Sequence, residues 1–189
     1  MSSSDNPYVG RAALKLASAA DKFKLDFKNK TVLDVGSSTG GFTDYALRHG
    51  AAKVIAVEIG TNQLHPSLRL NPKVELHEKT DIRQFETDEN PDIILIDVSF
   101  VSLRQILLAV AKLGSSDTQI AALLKPQFEA TTKDLNNGVI KNDSIRRRIF
   151  KDFEQWIKSY FIVVAKADSE LAGAKGNHER FYLLKSFRK

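Results

Sequence analysis

Residues 32–42 read VLDVGSSTGGF, and no other stretch limits the folds open to this chain as tightly. Val32 and Leu33 run into Asp34, and then Gly36, Ser37, Ser38, Thr39, Gly40 and Gly41 lead to Phe42. The pattern predicts a buried strand, a glycine-rich turn and a helix beginning near Phe42. Glycine suits such a turn because a Cβ would keep the backbone away from a ligand lying across the strand end. In open α/β sheets, the crevice beyond the carboxyl ends of parallel strands is where nucleotides bind. The spacing of Gly36, Gly40 and Gly41 does not fit the dinucleotide fingerprint G-x-G-x-x-G, and no Gly-Lys-Ser/Thr follows to make a phosphate loop. A carboxylate ahead of a small-residue turn suits a ligand with an amine and a carboxylate better than a pyrophosphate. S-adenosylmethionine is therefore the candidate cofactor.

The rest of the chain repeats the strand–helix alternation. Apolar positions at Ala12, Ala13, Leu16, Ala19, Ala20 and Phe23 predict an amphipathic helix over 11–24. Strands are expected at 31–36, at KVIAVE ending on Glu58, at 74–78, 92–97, 119–125, 161–167 and 180–187. Helices are expected at 41–49, 61–69, 103–113 and 143–159, with a long loop over 126–141. Such alternation implies a parallel sheet with helices on both faces. Residues 168–178 are too few for a helical crossover, so the last two strands form an antiparallel hairpin. The expected fold is α/β: a Rossmann-like, seven-stranded, mostly parallel sheet with one antiparallel strand, the architecture of methyltransferases that use S-adenosylmethionine.

With 189 residues the chain has enough material for one core, expected over 8–189, behind a Ser-rich, disordered start at 1–7. It contains no cysteine, which excludes disulfides, thiolate metal sites and cysteine nucleophiles. Four scattered histidines lack ligand spacing, so no metal site is expected. No apolar run is long enough to span a bilayer and no apolar leader is present, so a cytoplasmic location is the expectation. The net charge of +5 is compatible with a polyanionic partner.

Glu58 ends the second strand, 24 residues after Asp34, where a carboxylate can accept hydrogen bonds from ribose hydroxyls. Asp81 follows the third strand, within reach of an adenine amino group. Either alone would read as a helix cap or a loop charge; with the Gly36–Gly41 turn they set three strand ends around one nucleoside. Four further charges interrupt apolar runs: Lys15 in AALKLA, Asp97 ending IILID, Lys125 ending AALLK, and Glu179 before RFYLL. A charge there is costly unless it is paired or faces a cleft. Asp97 and Lys125 end neighbouring strands, a reversed last strand brings Glu179 to the same edge, and Lys15 arrives from the first helix.

The segments YVGRAALKL, VLDVGSSTGGFTDYAL, KVIAVEIGTNQL, DIILIDVSFVSL, LLKPQFEA and GNHERF span residues 8–181. On these segments the chain resembles the TlyA, or hemolysin A, branch of the FtsJ-like ribosomal RNA methyltransferases. The resemblance implies methyl transfer from S-adenosylmethionine to a ribose 2′-hydroxyl by a Lys-Asp-Lys-Glu tetrad, matched here by Lys15, Asp97, Lys125 and Glu179. It also implies ribosomal RNA or ribosomal subunits as partners. Members usually carry a small N-terminal RNA-binding domain, whereas YVGRAALKL begins a few residues into this chain; it is either a piece of a longer protein or a methyltransferase domain that stands alone. Residues 172–176 read AGAKG where a proline-containing loop is usual in the family.

The chemistry fits the residue types. Displacement at a sulfonium carbon has an activated leaving group, so the enzyme must chiefly position and deprotonate the nucleophile. A free lysine has a pKa near ~10.4, and a lysine base needs burial or a neighbouring cation to shed its proton. Lys125 is the expected base, with Lys15 helping to depress its pKa or to steer the hydroxyl, Asp97 orienting Lys125 near the transferred methyl, and Glu179 holding Lys15 and keeping the cluster near neutral. Two structural salt bridges are the plainer alternative. At the level of function, the alternatives are a non-catalytic cofactor- and RNA-binding assembly factor or a small-molecule methyltransferase. Phe100 reads more readily as core than as a stacking residue. Gln127, Phe128 and Glu129 lie where a substrate ribose would sit.

Overall fold

In the computed structural model, which describes residues 7–187, the chain forms one mixed sheet between two helical layers. The Ser-rich start expected over 1–7 falls, apart from Pro7, outside the described residues. The strands are β1 (Thr31–Val35), β2 (Lys53–Val57), β3 (Val74–His77), β4 (Ile93–Ile96), β5 (Gln119–Leu124), β6 (Phe161–Asp168) and β7 (Arg180–Ser186). They lie in the order β3-β2-β1-β4-β5-β7-β6. Every pair is parallel except the two made by β7, which runs antiparallel to both β5 and β6. The central strands are buried on both faces, which explains why β4 is apolar at every position.

Strand alternation sends successive side chains to opposite faces. Leu33, Val35, Ile55, Ile94 and Ile96 pack against α4 (Leu103–Val110) and α6 (Asp143–Ile157). Val32, Val54, Ile93 and Leu95 face α1 (Ala12–Phe23) and α2 (Gly41–Arg48). Among the described residues no helix is long and apolar enough to cross a membrane.

Two elements differ from the sequence reading. The helix expected at 61–69 is only α3 (Pro66–Arg69): His65 caps it, and Pro66, which has no amide hydrogen to donate, starts it. The preceding turn contains Asn62 at φ 54°, which breaks any helix through it. The loop expected over 126–141 contains α5 (Pro126–Glu129), and Thr131 and Asp134 close a capping box around a single 3-10 turn.

Candidate active site

β1 lies between β2 and β4, and the crossovers leave it in opposite directions; this switch in strand order opens a crevice at the carboxyl ends. A cleft of about 670 Å³ fills it, a size that suits a nucleoside-bearing ligand. Of the expected cofactor residues, Gly36, Ser38, Glu58, Asp81 and Asp97 line this cleft. Gly36 has φ +81°, and a Cβ there would lie 2.8 Å from the Asp97 carbonyl, so the turn can approach β4 only as glycine. Gly40, at φ +96°, begins α2, and a Cβ on it would strike Leu68.

Glu58 is held in place by its neighbours: Ser38 N–H donates to Oε2 at 2.9 Å and Gly60 N–H to Oε1 at 2.7 Å. Each oxygen keeps acceptor capacity for a ligand hydroxyl. Asp81 is engaged by the Arg83 guanidinium, which holds its carboxyl below the ordinary carboxylate range. Ile59, 70% exposed, and Phe100, 91% exposed, present apolar surface at the mouth. Their exposure was not legible in the sequence.

Asp34, Ser37, Thr39, Gly40, Gly41 and Phe42 do not line the cleft; they build the turn from behind. Phe42 is core, facing Phe181 with ring centroids 6.2 Å apart. Asp34 is completely buried, on the face of β1 that meets α2. Thr43 Oγ–H donates to its Oδ2 at 2.6 Å, while Oδ1 has no hydrogen-bond partner among the described residues. Burial, reinforced by the charges of Asp97 and Glu58, pushes its carboxyl up to about 7, and the Thr43 hydrogen bond opposes this only in part.

The four charges that interrupt apolar runs form two ion pairs. Lys125 Nζ lies 2.7 Å from Asp97 Oδ1, outside hydrogen-bond alignment, and donates to Ser99 Oγ at 2.9 Å. Lys15 Nζ donates to Glu179 Oε2 at 2.6 Å, with the Glu179 side chain 1% exposed. The β5–β7 register explains the proximity of the pairs: Leu124 faces Arg180, and one step further Lys125 comes opposite Glu179. Ser99 is a partner no sequence signal marked. Phe100, for which core was the plainer expectation, is instead held at φ +66° with its ring 5.2 Å from Phe128. Glu129, one of the three residues expected near a substrate ribose, has its carboxylate buried against the start of α4.

A crevice at the strand-order switch, floored by a glycine turn and edged by carboxylates and lysine, defines a methyltransferase-type α/β protein. The sequence profile of the FtsJ-like methyltransferases matches residues 8–187, and the chain belongs to that family. It is 41% identical over 178 residues to the 23S rRNA (cytidine-2′-O)-methyltransferase TlyA of Campylobacter jejuni, covering 93% of this chain and 70% of that protein. It is 35% identical over 189 residues to the 16S/23S rRNA (cytidine-2′-O)-methyltransferase TlyA of Mycobacterium tuberculosis, covering 97% and 70%. A solved structure from Streptococcus thermophilus, provisionally designated a hemolysin, superposes with a TM-score of 0.93 at 37% identity, over 99% of this chain and 70% of that one.

Proposed function

We propose that this chain methylates a ribose 2′-hydroxyl of ribosomal RNA, using S-adenosylmethionine and Lys125 as general base. The observation that carries this reading is the Lys125–Asp97–Ser99 cluster at the lip of the cleft, beside the Gly36 turn. The cofactor assignment rests on fit: a cradle that a Cβ would fill at Gly36, a fixed carboxylate at Glu58, and acidic groups suited to a ligand carrying positive charge. When bound, S-adenosylmethionine supplies a methyl group on a positively charged sulfur, which is an activated leaving group. Glu58 accepts from its ribose hydroxyls, Asp81 takes the adenine end, and Asp34 with Phe42 keeps the turn in shape from behind.

Lys125 would accept the proton of the 2′-hydroxyl as that oxygen takes the methyl group S-adenosylmethionine supplies. Asp97 and Ser99 fix Nζ in both position and direction. Lys15, anchored by Glu179, steers the hydroxyl. Exposed Phe100, backed by Phe128, offers a face on which the base of the target nucleotide stacks. The relatives named for cytidine in 16S and 23S rRNA favour a cytidine target.

The test is transfer of a labelled methyl group to ribosomal RNA, offered free and as assembled subunits. A 2′-O-methyl group blocks alkaline cleavage at the adjacent phosphodiester, so label is expected in alkali-resistant dinucleotides. Lys125→Ala is expected to abolish transfer while the protein still binds the cofactor. Label in alkali-sensitive products, or full transfer by Lys125→Ala, would overturn the assignment.

A further inference from the structure

The β4–α4 segment, carrying Asp97, Ser99 and Phe100, and the β5–α5 segment, carrying Lys125 and Phe128, meet across the mouth of the cleft. Their contacts at the front are the Lys125 interactions with Asp97 and Ser99 and the Phe100–Phe128 ring pair. Behind them is one more link, made by Glu129 at the end of α5. Glu129 Oε2 accepts from Ser102 Oγ–H at 2.5 Å, and Oε1 accepts from Leu103 N–H at 2.7 Å. Its side chain is 3% exposed, and the Arg104 guanidinium lies 3.7 Å away. Arg104 is itself set over the rings of Phe153 and Trp156, so the carboxylate is anchored toward α6 as well.

We propose that Glu129 is the positioning residue that holds Lys125 in register with Asp97 and Ser99. Two features make the link more than a helix cap. It joins segments 26 residues apart in the chain, each ending in a group assigned to proton transfer. It sits at the downstream end of the stretch in which Phe100 is forced to φ +66°, a conformation a phenylalanine keeps only when both flanks are held. The upstream flank is fixed by Asp97 N–H donating to the Val35 carbonyl at 3.1 Å, and Glu129 fixes the other. Without Glu129, Ser102 and Leu103 lose their common acceptor, and α5 is free to drift with Lys125 at its start.

The catalytic part of this inference rests on the reading of Lys125 as base; the geometric part does not. The experiment therefore has two arms. In the first, the rate at which Lys125 is acetylated by an amine reagent is followed by peptide mass spectrometry, which needs neither substrate nor turnover. Glu129→Ala is expected to change that rate while Lys15 keeps its wild-type rate. Glu129→Gln, whose amide can still link Ser102 and Leu103, is expected to stay near wild type. In the second arm, Glu129→Ala is expected to lower kcat roughly 100-fold, the scale of an ångström-sized misplacement. Its affinity for S-adenosylmethionine is expected to stay within about threefold of wild type, because the Gly36 and Glu58 side of the cleft is untouched. Glu129→Gln should recover most of the loss. If Glu129→Ala does not fold, Ser102→Ala removes the hydroxyl half of the link, leaves the Leu103 N–H bond, and should show a smaller change of the same kind. Unchanged Lys125 labelling in a folded Glu129→Ala or Ser102→Ala variant overturns the proposal. So does a fall in kcat and cofactor affinity together. Wild-type protein that transfers no methyl group would instead sink the function proposed above, leaving the labelling arm intact.

Discussion

Asp34 is a fully buried carboxyl with one oxygen unpartnered, and its raised pKa of about 7 makes it a linkage between folding and pH. Between the ordinary value of 3.8 and about 7, the folded chain holds a proton that the unfolded chain has released. Folding is therefore opposed increasingly as pH climbs through that window, and the full penalty stands above it. At roughly 1.36 kcal/mol for each pH unit, the penalty is on the order of 4 kcal/mol. Asp34→Asn keeps an acceptor for Thr43 and cannot ionise. Its stability relative to wild type, followed by urea unfolding from pH 4 to pH 8, is expected to rise toward the alkaline end; a flat difference would show that Asp34 stays ionised in the fold. The sequence marks Asp34 as unusual because it interrupts an apolar run. It does not say whether the side chain faces a ligand or the helix behind, since that depends on which face of β1 meets α2. Lys125 and Asp97 were legible for the same reason as Asp34. Ser99 was not, and Glu129 was marked only beside a substrate ribose, because their contacts join residues far apart in the chain. Phe100 misleads in the opposite sense: composition cannot separate a core phenylalanine from one that a positive φ turns outward.

Among the elements, α6 buries Ile149, Phe150, Phe153 and Ile157 on one face. Phe153 is completely buried, 5.2 Å from Tyr182 and 5.8 Å from Trp156 by ring centroids, with Arg104 over its face. Phe153→Ala is expected to cost about 3–5 kcal/mol in urea unfolding, a large share of the stability of an ordinary domain. A loss below about 1 kcal/mol would mean the neighbours collapse into the space. The α6 pattern was readable because the helix is long and one-sided, and the strands were readable because a doubly covered sheet needs continuous apolar runs. Short elements escaped: a proline that starts α3 and the four residues of α5 are too little sequence for periodicity to register.

For the whole molecule, the surplus of 28 lysines and arginines over 23 acidic residues governs encounters with a polyanion. If ribosomal RNA is the substrate, the logarithm of its affinity should fall linearly with the logarithm of salt concentration, and a slope near −0.7 is expected for each phosphate neutralised on single-stranded RNA. A filter-binding series over salt checks this; affinity independent of salt would mean that charge plays no part in recognition. The seven strands and the reversal of the last one were within reach of the sequence, the reversal because so few residues join β6 to β7; the strand order was not read from it.

That reversal has a consequence for synthesis. β7, the last of these seven strands to leave the ribosome, is an interior strand, and β6 has no place in the sheet until β7 arrives to separate it from β5. A nascent chain that has reached Asp168 carries β6 with nothing to pair with and a bare edge along β5. Such edges recruit foreign strands. The Lys15–Glu179 pair also closes the longest loop in the site, so its geometry cannot exist on an unfinished polypeptide. Synthesis must pass Glu179 before the first helix can be locked to the site.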